Sequence, residues 1–271
     1  MSQWNFMSFD SRDTLLPAVR REAEMFFALA SDAASWEAPT AHDWQVRDVV
    51  GHLVDVTESY FVGFDAARGT GTAADALGLV DMSRLLNEGA QAFRNSSQTE
   101  LLDRLHTDFD KVMEIFSGLD EEEWGGLIVP HKYMGPLPAF FYPIFQLVDY
   151  TVHSWDIRQG TGRAHALAGD SADLLVPLSF VLWSATATTG PDTEAIEIGI
   201  RVTSGPNQGD TRLKVGPDGV GYEAGSADNL PAVIEFDPAT LVLTSYGRFN
   251  AGTVRGDQAL ADRFLNLFFR I

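Results

Sequence analysis

Leu147 to Trp155 reads LVDYTVHSW, and it sets an acid four residues before a histidine, Asp149-x-x-x-His153. On a helix this spacing places both side chains on one face, about one turn apart. Gln146 and Asp156 extend the same face in either direction. The other neighbours are mostly apolar or aromatic, and burying a carboxylate or an imidazole unpaired is costly. The two groups therefore need each other's hydrogen bond, an arginine or a metal ion. Zinc and related divalent metals commonly take two ligands at this spacing and one more from another helix, with a position left open in catalytic sites. By residue type alone, a structural His–carboxylate pair and half of a metal site both satisfy the pattern.

A third ligand is offered by His52, in WQVRDVVGHLVDV, within another strongly apolar helical pattern. Read alone, His52 is equally a histidine at the edge of a core, donating to a backbone carbonyl or to Asp55. Two histidines and one acid on two buried helices make a facial set of ligands. The remaining histidines, His42, His106, His131 and His165, fall near predicted helix ends, on a polar face or in loops, and read as surface residues. With no cysteine in the chain, disulfides, Cys-based zinc sites and a Cys nucleophile are excluded, so any thiol chemistry would have to use a thiol brought in by a cofactor.

The elements that must carry these residues follow from hydrophobic spacing. Leu15, Leu16, Val19, Ala23, Phe26, Phe27 and Ala30 predict a helix over 11–34. A second begins near Asp43 as N-cap and carries Val46, Val49, Val50, Leu53, Tyr60 and Phe64. A third pattern, 81–119, breaks near RNSSQ. The Gly- and Pro-rich EEEWGGLIVPHKYMGPLPAF reads as a long connection. A fourth helix, about 140–159, is closed by Gly160 and Gly162. Antiparallel helices with one long crossover predict a four-helix bundle. Tyr60, Phe64, Tyr142, Phe145 and Trp155 line either a pocket or a core.

Beyond Gly169 the pattern changes. DSADLLVPLSFVLWSATA is a nearly all-apolar helix suited to linking two domains. EAIEIGIRVTS then alternates with period two, and TRLKVGPDGVGYEA reads as a hairpin around Pro217-Asp218-Gly219. Two strand-then-helix units follow, capped by Asp237 (with Pro238 next) and by Asp257. The expected fold class is therefore α plus α+β: a helical bundle over 1–168, then the linking helix and a small α+β domain over 169–271.

The 271 residues carry 38 acidic and 19 basic side chains, a net charge of −19, with 45% hydrophobic residues. This composition is that of a folded globular protein. No basic surface is available to release counterions, so neither nucleic acid nor an anionic membrane is an expected partner. An anionic substrate would need a local arginine or metal. No apolar run reaches membrane-spanning length and no secretory signal is evident, so the expected location is cytoplasmic, as monomer or homodimer.

Three stretches together carry a family resemblance: WQVRDVVGHL (44–53), VDYTVHSWDI (148–157) and the ending YGR…VRGDQALADRF. They resemble the mycothiol-dependent maleylpyruvate isomerase family, over about residues 10 to 270. The resemblance implies a DinB-like metal-binding four-helix bundle followed by a sterol-carrier-like α+β domain. It also implies that His52, Asp149 and His153 are the metal ligands, from the family patterns W-x-V-x-D-x-x-x-H-L and E-x-x-x-H-x-W-D. Asp149 stands where that pattern usually has Glu and reaches about one carbon–carbon bond, roughly 1.5 Å, less far. It ligates if the helix sits closer or a water intervenes. Asp156 is suited either to orienting a ligand histidine or to a helix-surface salt bridge.

The cofactors implied are a divalent metal, with zinc the expected ion, and mycothiol, whose thiol pKa the metal lowers. The partners implied are this small-molecule thiol and a small electrophile. In the isomerase, thiolate addition to a conjugated cis double bond permits rotation, and elimination returns the thiol; related enzymes stop after the transfer. Arg248, in SYGRF, is the candidate anchor for a substrate carboxylate, with a surface pairing to Asp237 or Asp257 as the alternative. Two other readings stay open at this level: a non-catalytic binder of an apolar ligand, and a metal-dependent hydrolase that activates water.

Overall fold

The computed structural model describes residues 2–40, 43–163, 165–249 and 252–269, so His42 lies outside the described residues. Packing divides the chain into two compact units, the first from Ser2 to Leu167 and the second beginning at Ala168. Among the described residues no helix is long and apolar enough to cross a membrane.

The first unit is helical. Its long helices are α1 (Arg12–Ala30), α2 (Val46–Ala67), α4 (Gln98–Gly118) and α6 (Phe141–Gly160), with short α3 (Met82–Gln91) and α5 (Glu121–Gly126) between them. The four long helices form the expected bundle, α1 packing chiefly along α6 and α2 along α4. The apolar positions that predicted α1, from Leu15 to Ala30, are all buried. The break near RNSSQ is real: Ser97 caps α4, its side chain accepting the Glu100 N–H at 3.2 Å.

Three expectations are corrected. First, α2 starts at Val46 rather than after an Asp43 cap. The Asp48 carboxylate reaches back and accepts the Gln45 N–H at 3.0 Å, which satisfies the helix entry from inside the first turn. Second, the stretch after Leu119 is not a bare connection. Asp120 caps α5 by accepting the Glu123 N–H, and β1 (Ile128–His131) pairs antiparallel with β2 (Gly135–Pro138). Its prolines hid this hairpin from period-two reading, since proline sits poorly in a ladder except at edges. Third, Gly160 is the last residue of α6, not a residue beyond it. A Cβ there would run into the Pro39 carbonyl, so Gly160 is a close-approach point, while Gly162, at φ +75°, turns the chain away.

The second unit begins with α7 (Gly169–Thr186) and holds β3 (Ile196–Val202), β4 (Gly209–Gly216), β5 (Gly219–Ala224), β6 (Ala232–Phe236), α8 (Pro238–Ser245), β7 (Thr253–Gly256) and α9 (Gln258–Leu265). The strands form one sheet in the order β5-β4-β3-β6-β7, with only the central β3–β6 pair parallel. Asp237 and Asp257 cap α8 and α9, accepting the Thr240 and Leu260 N–H at 3.0 Å each. Trp183 of α7 is buried against Phe236, Phe264 and Phe268, so the apolar helix belongs to the core of this unit. The chain is thus a helical N-terminal part followed by a sheet-containing C-terminal part.

Candidate metal centre

The seam between α2 and α6 is laid out by helical spacing. Asp48, His52, Val56 and Tyr60 follow one another at four-residue steps along α2, and Phe145, Asp149 and His153 do so along α6. Where these stripes meet, His52, Asp149 and His153 converge: one ligand-type atom from each lies within 4.8 Å of the other two. His52 Nε2 is 3.9 Å from Asp149 Oδ1, and the two imidazole rings meet edge to face at 5.1 Å. Both histidines are buried, while the Asp149 side chain keeps 20% of its exposure, so the cluster is open on the carboxylate side.

His153 is held by its own helix. Its Nδ1 lies 3.0 Å from Oδ2 of Asp156, three residues on and fully buried. Against an ionised carboxylate Nδ1 carries the ring proton, so Nε2 presents its lone pair as the ligand atom. Of the two roles read for Asp156, the orienting one describes this geometry. Gln146, one turn before Asp149, ties the helices together by donating Nε2–H to Thr57 Oγ1 at 3.1 Å.

Two further residues of the WQVRDVVGHL stretch have structural work that the sequence did not assign. The Trp44 ring covers both imidazoles, 5.1 Å from His52 and 6.0 Å from His153, and its Nε1–H donates to Asn87 Oδ1 at 2.9 Å. Asp48, fully buried, receives Arg94 bidentately, Nε to Oδ1 at 2.7 Å and Nη2 to Oδ2 at 2.9 Å. Burial pushes the Asp48 carboxyl up, but the Arg94 hydrogen bonds, the Gln45 N–H and the nearby cations together hold it below the usual range. This pair fixes the first turn of α2, one turn before His52.

His131 corrects the reading of a surface histidine. At the end of β1 it is 7% exposed, among the rings of Phe145 (5.5 Å), Tyr142 (6.0 Å) and Tyr60 (6.2 Å). Burial pushes its pKa from an ordinary 6.5 down to about 4; the Asp149 charge opposes that shift and Lys132 adds to it. The backbone N–H groups of Tyr133 and Met134 donate to its Nδ1 at 3.2 and 3.1 Å. Of the other histidines, His106 is exposed and stacks on Phe27, and His165 is partly buried. Tyr60, Phe64 and Tyr142 are fully buried core aromatics, Tyr142 donating its hydroxyl to the Val129 carbonyl at 3.1 Å. Arg248 belongs to the second unit, where its Nη1 donates to the Tyr246 carbonyl at 2.9 Å.

A four-helix unit with two imidazoles and a carboxylate converging at one helix seam defines a helical-bundle protein with a candidate metal centre. The chain belongs to the mycothiol maleylpyruvate isomerase N-terminal domain family, whose model matches residues 16–158, more than half of its length. Its fold is similar to the crystal structure of the mycothiol-dependent maleylpyruvate isomerase, at 13% identity and a TM-score of 0.60, over 90% of this chain and 93% of that one. A mutant of that enzyme gives a TM-score of 0.62, again at 13% identity, over 91% of this chain and 95% of the other. No curated protein matches the sequence.

Two outcomes follow. Arg94→Ala takes the guanidinium from the buried Asp48 carboxylate and leaves it the Gln45 N–H; urea unfolding of the variant should show a lower midpoint with an unchanged slope. The pH sign for His131 is fixed by its lowered pKa. Between pH 6.5 and 4 the unfolded chain takes up a proton at His131 that the folded chain refuses. Stability therefore falls as pH drops through that window. With chelator present, the loss of unfolding free energy between pH 7.5 and 5 should be about 2 kcal/mol smaller for His131→Gln than for the unsubstituted protein. Equal losses would mean that the ring is not held neutral.

Proposed function

We propose that this chain is a metal-dependent enzyme that uses a small-molecule thiol, mycothiol, to act on a small electrophile. Cis–trans isomerisation of a maleylpyruvate-type substrate is the reaction it fits first, with thiol S-transfer the variant that stops after addition. The observation that carries this is the convergence of His52, Asp149 and His153 at one open seam, in a chain of this family.

The donor set suits the ion. Two neutral imidazoles and a carboxylate are a common catalytic zinc set, and they leave a coordination position for a ligand. His52 Nε2 and Asp149 Oδ1, 3.9 Å apart, are at a separation that one ion spans with bonds of about 2.0–2.2 Å. The 3.9 Å separation supports a direct role for Asp149 in spite of its short side chain. When bound, a zinc ion supplies a lowered thiol pKa, and the thiol supplies a nucleophile that adds reversibly to a conjugated double bond.

The protein's own residues do the rest. His52 and His153 hold their rings in place under Trp44, Asp156 fixes the His153 tautomer, and the partly exposed Asp149 stands at the side from which a ligand enters. We assign Arg248 to the substrate's carboxylate, where a guanidinium gives a planar two-point grip that a chain of charge −19 otherwise offers sparingly.

The test is turnover of maleylpyruvate by zinc-loaded protein with and without mycothiol. Turnover should require both additions, and His52→Ala should lose zinc and at least about 100-fold in rate together. Arg248→Met should keep its zinc and raise KM. Hydrolysis of the substrate without thiol would make the protein a hydrolase, and protein that takes up no zinc would contradict the enzyme reading altogether.

A further inference from the structure

His131 has no part in the ligand cluster, yet its surroundings give it one definite chemical form. Two backbone N–H groups, from Tyr133 and Met134, point at Nδ1. Nδ1 must therefore be the acceptor nitrogen, and the ring proton resides on Nε2. No described group accepts that proton. Nor is Nε2 among the side-chain atoms sealed in the interior without a partner. A donor thus stands ready on the edge of the ring away from the hairpin turn.

Its place in the fold puts that ring beside the seam. The His131 ring packs on Phe145, which precedes Asp149 by one turn on the same face of α6, about 6 Å along the axis. It also packs on Tyr60, which lies two turns beyond His52 on the stripe of α2. The hairpin carrying it is fixed to α2 twice: Gly63 lacks the Cβ that would strike the Pro130 carbonyl, and Lys132 donates to Asp55 Oδ2 at 2.6 Å. The charge of Asp149 is felt at His131, whose ring remains neutral at physiological pH.

We propose that His131 is a hydrogen-bond donor for the oxygen of the electrophile that becomes negative during the reaction. This rests on the thiol-addition reading above. As the carbon–sulfur bond forms, the π pair of the conjugated double bond shifts to the bond beside the carbonyl and the carbonyl π pair moves onto its oxygen; as the carbon–sulfur bond breaks, both pairs return. Nε2–H donates to this oxygen at the stage of greatest charge and keeps its proton throughout, so no proton is gained or lost at His131. A neutral imidazole held by the fold suits such a site, because it neither competes with the metal for a thiolate nor needs to reorganise.

Two substitutions separate the ring's edges. In His131→Asn the amide oxygen replaces Nδ1 as acceptor for Tyr133 and Met134, and the Nε2 donor is lost. In His131→Gln the side-chain amide places a donor near Nε2, and the Nδ1 acceptor is lost. With zinc and saturating mycothiol, the Asn variant should lose about 100-fold or more in kcat for maleylpyruvate. Its zinc content, its mycothiol affinity by calorimetry and its melting temperature should match the unsubstituted protein. The Gln variant should regain most of that rate while melting lower. An Asn variant within threefold of the unsubstituted kcat, or two variants slowed equally, would overturn the proposal. An unsubstituted protein with no thiol-dependent turnover would overturn the underlying reading and this inference with it.

Discussion

The structure of the first unit turns on one constraint: ionisable side chains placed in an apolar seam between two helices must each find a partner. Asp156 and His153 answer one another within α6, and Asp48 is met by Arg94 from the segment before α4. His52 and Asp149 face each other at 3.9 Å, too far for a hydrogen bond, and His52 Nδ1 is buried without a partner among the described residues. An unsatisfied buried polar atom of this kind costs about 1–3 kcal/mol. Among the described residues Gln146 Oε1, Thr151 Oγ1 and Ser154 Oγ of α6 also lack a partner, so His52 Nδ1 is one of several such atoms along this seam.

The supporting elements make sense as consequences. Trp44 covers the imidazoles, and its indole is in turn fixed by Asn87 on α3. That helix lies close because Gly51 presents no side chain; a Cβ there would meet the Ala90 carbonyl at 2.7 Å. At the other end of the seam the β1–β2 hairpin closes over Tyr60 and Tyr142 and delivers His131. Each element thereby limits the rotamers of the cluster, as a site with few adjustable parts requires.

Much of this was legible in the sequence because it is written in local spacing. The apolar steps of α1, α2, α4 and α6 gave the bundle, the alternation of 196–202 gave β3, and Asp237 and Asp257 marked the helices that follow β6 and β7. The four-residue step from Asp149 to His153 gave a shared face, and the pattern around His52 gave a second helix to face it. What could not be read depends on chain segments meeting. Arg94 lies in the very stretch that signals a break, 46 residues from Asp48, and nothing local announces that pair. His131 looked like a loop residue because Pro130, Gly135 and Pro136 conceal the hairpin around it. Gln45 in place of Asp43 at the start of α2 follows from the same cause, since Asp48 and its distant arginine choose the first turn.

The family and the seam point to one central claim, that His52, Asp149 and His153 hold a metal ion that in turn accepts a thiol. X-ray absorption at the zinc edge of the loaded protein tests this most directly. The account predicts outer-shell scattering from two imidazoles with nitrogen and oxygen neighbours near 2.0–2.2 Å, and a new sulfur neighbour near 2.3 Å once mycothiol is added. A spectrum without imidazole scattering, or one that mycothiol leaves unchanged, would contradict it.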